Sequence, residues 1–142
     1  MDIVIGCDHA GFDLKEQIRR FLMEDLGYKV EDRGVFSRDS VDYPQIAHDV
    51  ASLVSKGRFP YGILICGTGI GMSIVANRYK GVRAALCHNI YTAQLSRMHN
   101  DANILAMGGR VIGVGLAQEM VAVFLSTSFE GGRHKRRIEQ ID

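Results

Sequence analysis

The sequence predicts an α/β fold, a doubly wound parallel sheet of about five strands with helices on both faces. Three observations predict it. Short, continuously apolar runs at 3–7, 63–65 and 104–107 have the length and composition of strands buried on both faces, and 82–87 reads as another buried strand. These runs alternate with amphipathic stripes of helical period, the first two of which stop at Gly27 and Gly57. Residues 61–78, YGILICGTGIGMSIVANR, read as a strand, a glycine-rich loop and a helix.

Taken in order, the run 3–7 is the first strand and ends in Asp8-His9-Ala10-Gly11. Leu14, Ile18, Phe21, Leu22 and Leu26 form one apolar stripe with charges opposite, so a helix is expected over 11–26. Residues 28–32 alternate as a strand closed by Arg33-Gly34, and 37–42 form a polar loop. A second helix begins near Pro44, a residue suited to a first helical turn, and buries Ile46, Val50, Leu53 and Val54. After the central strand–loop–helix come a strand at 82–87, a helix at 90–98, a strand at 104–107 and an apolar helix at 116–126. Gly131-Gly132 breaks that helix, and the basic tail forms one or two further turns. The strict alternation gives a three-layer, Rossmann-like sheet with a C-terminal helical tail, in a single domain over 1–142.

Composition excludes several classes. The 142 residues suffice for one core without disulfides. Three cysteines beside six methionines suit a reducing compartment rather than a secreted scaffold. No signal peptide or apolar run of membrane-spanning length is present, so a cytoplasmic protein without membrane contact is expected. A net charge of +1 provides no field that would gather nucleic acid.

Ligands in such folds sit beyond the carboxyl ends of the strands. The residues there are Asp8 and His9, Cys66 to Gly71, His88 and Asn89, and Gly108 to Arg110, while His99-Asn100 ends a helix. Glycines at 67, 69 and 71 allow a sharp turn and a close approach of backbone amides to a ligand. Cys66 then stands at the rim of an anion hole, where a helix N-terminus favours a thiolate and negative charge developing on a substrate. The same pattern fits a buried cysteine serving as a small hydrophobe, with a glycine turn devoid of chemistry. A dinucleotide site is disfavoured, because the spacing is G-x-G-x-G and no acidic residue accompanies Cys87-His88-Asn89. Arg133 and Arg137, at i and i+4, make a fork for a phosphate, although the run also reads as a solvated basic tail. His48 and His88 form no metal-ligand spacing, so no metal is expected.

The segments Gly6 to Gly11, Asp42-Tyr43-Pro44, Cys66 to Gly71, His99 to Asn103 and Glu130 to His134 closely resemble the ribose-5-phosphate isomerase B family, which also contains galactose-6-phosphate isomerase subunits. The resemblance runs from residue 3 to about 138. It implies a cofactor-free homodimer, often paired into a tetramer, with interfacial active sites acting on a phosphorylated aldose or ketose. The implied reaction interconverts ribose 5-phosphate and ribulose 5-phosphate through a cis-enediolate. In it Cys66 is the base, and a thiol lowered from about 8.5 suits that task. Gly67, Gly69 and Gly71 supply amides to the enediolate, such donors being worth about 3 kcal/mol each. Thr68 assists proton movement between O1 and O2, or else caps the helix. His99 opens the furanose ring. Asp8 holds sugar hydroxyls or the ring oxygen, and Tyr43 and Asn100 contact the sugar. His9, Arg110, Arg133 and Arg137 hold the phosphate, some of them from the neighbouring subunit. Galactose-6-phosphate or allose-6-phosphate isomerisation is the sister reading. A non-catalytic sugar-phosphate binder is a third, against which the retained Cys66 and His99 argue. A thiol redox protein would need a C-x-x-C pair, which is missing.

Overall fold

The computed structural model describes residues 2–142. Five strands, β1 (Asp2–Cys7), β2 (Lys29–Asp32), β3 (Tyr61–Cys66), β4 (Ala84–Leu86) and β5 (Ile104–Gly108), form one all-parallel sheet in the order β2-β1-β3-β5-β4. Six α-helices connect and follow them: α1 (Phe12–Arg20), α2 (Tyr43–Ser55), α3 (Ile70–Ala76), α4 (Ile90–Met98), α5 (Val114–Ser126) and α6 (Arg133–Ile138).

Successive strand residues point to opposite faces, and here both faces are covered. Ile3, Ile5, Ile63, Ile65, Leu105 and Met107 pack against α1, α4 and α5, with Phe124 fully buried among them. Val4, Leu64, Cys66, Ile104 and Ala106 pack against α2 and α3. Burial on both sides is why β1, β3 and β5 are apolar without alternation, whereas the edge strand β2 alternates between exposed and half-buried residues.

The boundaries differ from expectation in three places. The 11–26 helix is preceded by a 3-10 turn at His9–Gly11, and its last turn, Phe21–Asp25, is a π-helix ending before Gly27 at φ 72°. The expected strand at 82–87 shrinks to Ala84–Leu86. It lies on the sheet edge, and the Asn77 side chain accepts from Ala84 N and donates to Ala84 O, capping part of that edge against further pairing. The last core helix begins at Val114 rather than 116. Lys15 is fully buried on α1, with Nζ 2.7 Å from Asp32 Oδ2 and 3.0 Å from Glu16 Oε1, which ties α1 to the end of β2. Among the described residues no helix is long and apolar enough to cross a membrane.

The topology has one consequence for function. Helix α4 leaves the carboxyl end of β4 and returns to the amino end of β5, so its last residues lie at the opposite edge of the sheet from Cys66.

Candidate active site

One cluster gathers at the carboxyl ends of β1, β3 and β5. Cys66 closes β3 and is buried, and the Gly69 amide donates to its Sγ at 3.1 Å. The turn that aims this amide needs glycine. Gly69 has φ 78°, and a Cβ there would lie 2.6 Å from Leu86 and 2.8 Å from the Met107 backbone. Thr68 Oγ1 accepts from Ile70 N at 3.2 Å, while the N-cap position of α3 belongs to Gly69. The threonine thus satisfies one open amide at the helix start without being its cap residue.

Asp8 is buried, and its Oδ1 accepts from Ala10 N and Gly11 N at 2.9 and 3.1 Å, fixing the carboxylate at the mouth of the 3-10 turn. His9 Nδ1 accepts from Val41 N, which places the proton of the neutral ring on Nε2. Arg110 follows β5, its amide donates to Gly67 O, and its side chain lies over Gly67. The Tyr43 side chain occupies the space a side chain on Gly71 would need, with two ring carbons 2.5 and 2.6 Å and the hydroxyl oxygen 2.8 Å from that Cβ position. Asp8, His9, Tyr43, Cys66, Gly67, Thr68, Gly69, Gly71 and Arg110 are therefore neighbours. The other two cysteines are core residues: burial pushes the Cys7 thiol up to about 12 and raises that of Cys87 as well.

A second cluster forms at the far edge. His99 is the C-cap residue of α4, and Glu130 N donates to Met98 O at 3.0 Å, fastening the tail to that helix end. The His99 and His134 rings stack with centroids 4.2 Å apart and planes within 9°. Glu130 Oε1 lies 3.4 Å from Nε2 of each ring. Burial, with the adjoining His99 and Arg133, holds His134 below the ordinary imidazole range. Arg133 and Arg137 project from α6 and make no ion pair among the described residues. The frame beneath is Arg97, buried, donating to Thr127 O, Ala102 O, Tyr61 Oη and Asp101 Oδ1.

The structure thus divides the expected residues into two groups. Asn100 precedes β5 and Arg110 follows it, and the five residues of that strand span about 16 Å. His99, Asn100, Arg133 and Arg137 do not meet Cys66 within one chain. A hollow of about 340 Å³ under β4 is lined by Asn100, Ala102, Asn77 and Ile141 but not by Cys66. Cys66 and its amides mark the chemistry better than this hollow does.

Glu130, His134 and Arg97 carry no individual role in the sequence reading, although Glu130 to His134 is one of the segments on which the resemblance rests. Ligand atoms of His99, Glu130 and His134 lie within 4.8 Å of one another. Imidazoles bind metals through in-plane lone pairs, and those of two stacked, nearly parallel rings run side by side rather than converging on one ion.

Residues 3–141 match the family described as Ribose/Galactose Isomerase. The chain is 50% identical over 139 residues to ribose-5-phosphate isomerase B of Escherichia coli, covering 98% of this chain and 93% of that protein. A D-erythrulose-4-phosphate isomerase of Pectobacterium atrosepticum is 43% identical over 145 residues, covering 99% and 93%. The structure of Clostridium thermocellum ribose-5-phosphate isomerase B superposes with a TM-score of 0.97 at 50% identity, covering 99% and 95% of the two chains.

Proposed function

The chain belongs to the ribose/galactose isomerase family, and on that premise we propose that it interconverts ribose 5-phosphate and ribulose 5-phosphate, with Cys66 as the base between C2 and C1. The observation that carries this reading is the Cys66 sulfur held at a strand end by the Gly69 amide, within a loop that Asp8, Thr68, Tyr43 and Arg110 border. A hydrogen bond to an ionised acceptor is stronger than one to a neutral acceptor, so this contact tightens as the sulfur takes charge.

The active site forms between two copies of the chain. His9 and Arg110 of one subunit and Arg133 and Arg137 of the partner subunit hold the phosphate, and Tyr43 and the partner's Asn100 contact the sugar. His99 of the partner subunit takes the O1 proton and delivers one to the ring oxygen, opening the furanose, while Asp8 holds the sugar hydroxyls. Cys66 then removes the C2 proton and leaves an enediolate, whose oxygens face the amides of Gly67 and Gly71, whereas the Gly69 amide, expected to join them, is engaged by the Cys66 sulfur. The Thr68 hydroxyl passes a proton between O1 and O2, and Cys66 returns its proton to C1. Support for a second copy comes from Ile70 and Ile74, which are 50% and 54% exposed on α3 beside the site, with Leu86 partly exposed nearby. The unpaired cysteines, one of them required as a base, suit a reducing compartment such as the cytoplasm.

The test is steady-state ketose formation from ribose 5-phosphate, allose 6-phosphate and galactose 6-phosphate. A preference for the pentose phosphate supports the assignment. Turnover mainly of a hexose phosphate moves the protein to the sister activity, and binding without turnover of any of the three overturns the enzyme reading.

A further inference from the structure

We propose that Glu130 and His134 are positioning residues for His99: the stacked His134 ring fixes the plane of the His99 imidazole, and the Glu130 carboxylate supports the charge that imidazole carries during ring opening. This inference rests on the reading of His99 as the ring-opening group.

His99 sits at a helix end with its side chain 37% exposed, a place where an imidazole would ordinarily sample several rotamers. Three contacts restrain it. Its backbone amide donates to Leu95 O at 2.8 Å, its ring is stacked at 4.2 Å on His134, and Glu130 lies 3.4 Å from its Nε2. His134 is itself immobile, being 7% exposed and carried on α6, whose start is clamped through Glu130 N to Met98 O. The His134 Nε2 is buried and makes no directed hydrogen bond, its nearest acceptor being the shared Glu130 oxygen. A buried polar atom left in that state costs stability. A purely structural tail clamp would be better served by an apolar ring there. The held-below-range imidazole of His134 keeps this partner neutral, so one carboxylate faces one cation at a time. Carboxylates that orient a working histidine act in the same way in other enzymes, fixing the ring and stabilising the imidazolium.

The experiment separates ring opening from carbon chemistry. Ribulose 5-phosphate cannot close a furanose, because O5 carries the phosphate, so exchange of its C1 proton with D2O requires the base and the loop but no ring opening. Glu130→Gln, His134→Ala, His134→Phe and His99→Ala are compared for ribose 5-phosphate turnover and for this exchange, followed by NMR. Glu130→Gln and His134→Ala lower kcat on ribose 5-phosphate by about 10- to 100-fold, with KM and the exchange rate changed less than about threefold. His134→Phe, which keeps a stacking ring, stays closer to wild type than His134→Ala. Glu130 is an exposed side chain, so Glu130→Gln reports on a folded protein in any case. Turnover and exchange falling together would overturn the proposal in favour of a structural clamp, as would unchanged turnover. Loss in His99→Ala without loss in the other variants overturns the positioning role alone, whereas full ribose 5-phosphate turnover by His99→Ala overturns the parent reading.

Discussion

Cys66→Ala and His99→Ala chains, each inactive alone, are expected to regain activity when they are unfolded together and refolded as a mixture. The reasoning follows from the sheet. Cys66 ends β3 at the carboxyl edge, and His99 ends α4 at the amino edge. The strand between these edges gives a separation of about 16 Å, against the roughly 3 Å reach of a proton transfer. On the proposed reading one chain therefore supplies the Cys66 half of one site and the His99 half of the other. In a mixed dimer one site receives both substitutions and the other receives none. Random assembly of equal amounts makes about half of the dimers mixed, so the refolded pool should show about a quarter of wild-type activity on ribose 5-phosphate. The assay is ketose formation at fixed total protein as the mixing ratio varies, and the activity should peak at equal amounts. No recovery at any ratio, with correctly folded dimers present, would refute the shared site.

Three further outcomes are expected. Gly71→Ala places a Cβ inside the Tyr43 ring, so turnover on ribose 5-phosphate falls while thermal stability holds, alanine being better than glycine in a helix by up to about 1 kcal/mol; unaltered kinetics would mean that Tyr43 is free to leave without consequence. Asp32→Asn leaves the fully buried Lys15 ammonium with Glu16 as its remaining carboxylate partner and costs about 3 kcal/mol in urea unfolding, most of it recovered in Lys15→Met/Asp32→Asn. A loss under about 1 kcal/mol would contradict the pairing. Cys7 keeps its proton in the folded state up to about 12 but loses it from 9.0 when unfolded, so the unfolded chain binds fewer protons across that window and stability falls as pH rises through it. Cys7→Ala should make that alkaline decline shallower, as read from denaturation midpoints against pH, and an unchanged slope would count against the burial of this thiol.

Much of this arrangement is legible in the sequence because strands covered on both faces must be apolar throughout, and helices with one covered face must show a stripe. Ile3 to Cys7 and Ile63 to Ile65 are read correctly for that reason. The loop at Cys66 is legible because positive φ at Gly69 and the close approaches at Gly69 and Gly71 leave glycine as the residue that fits. The shortening of β4 is not, because it depends on an edge position and on Asn77 reaching Ala84 from another element. Nor is the contact of Glu130 and His134 with His99, since it requires the chain after α5 to fold back against the end of α4, and no local pattern encodes that return. The polarity of α4 follows from the alternating topology, so the separation of His99 from Cys66 was implicit once the parallel order was known.

The most direct test of the account is the isomerisation of ribose 5-phosphate in D2O, followed by NMR as loss of the C2 proton signal, for wild type and Cys66→Ala at equal folded concentration. The account predicts rapid loss with wild type and a rate lower by about a thousandfold in the variant, with binding of the sugar phosphate preserved. Turnover by Cys66→Ala within about tenfold of wild type would contradict it and would place the base elsewhere.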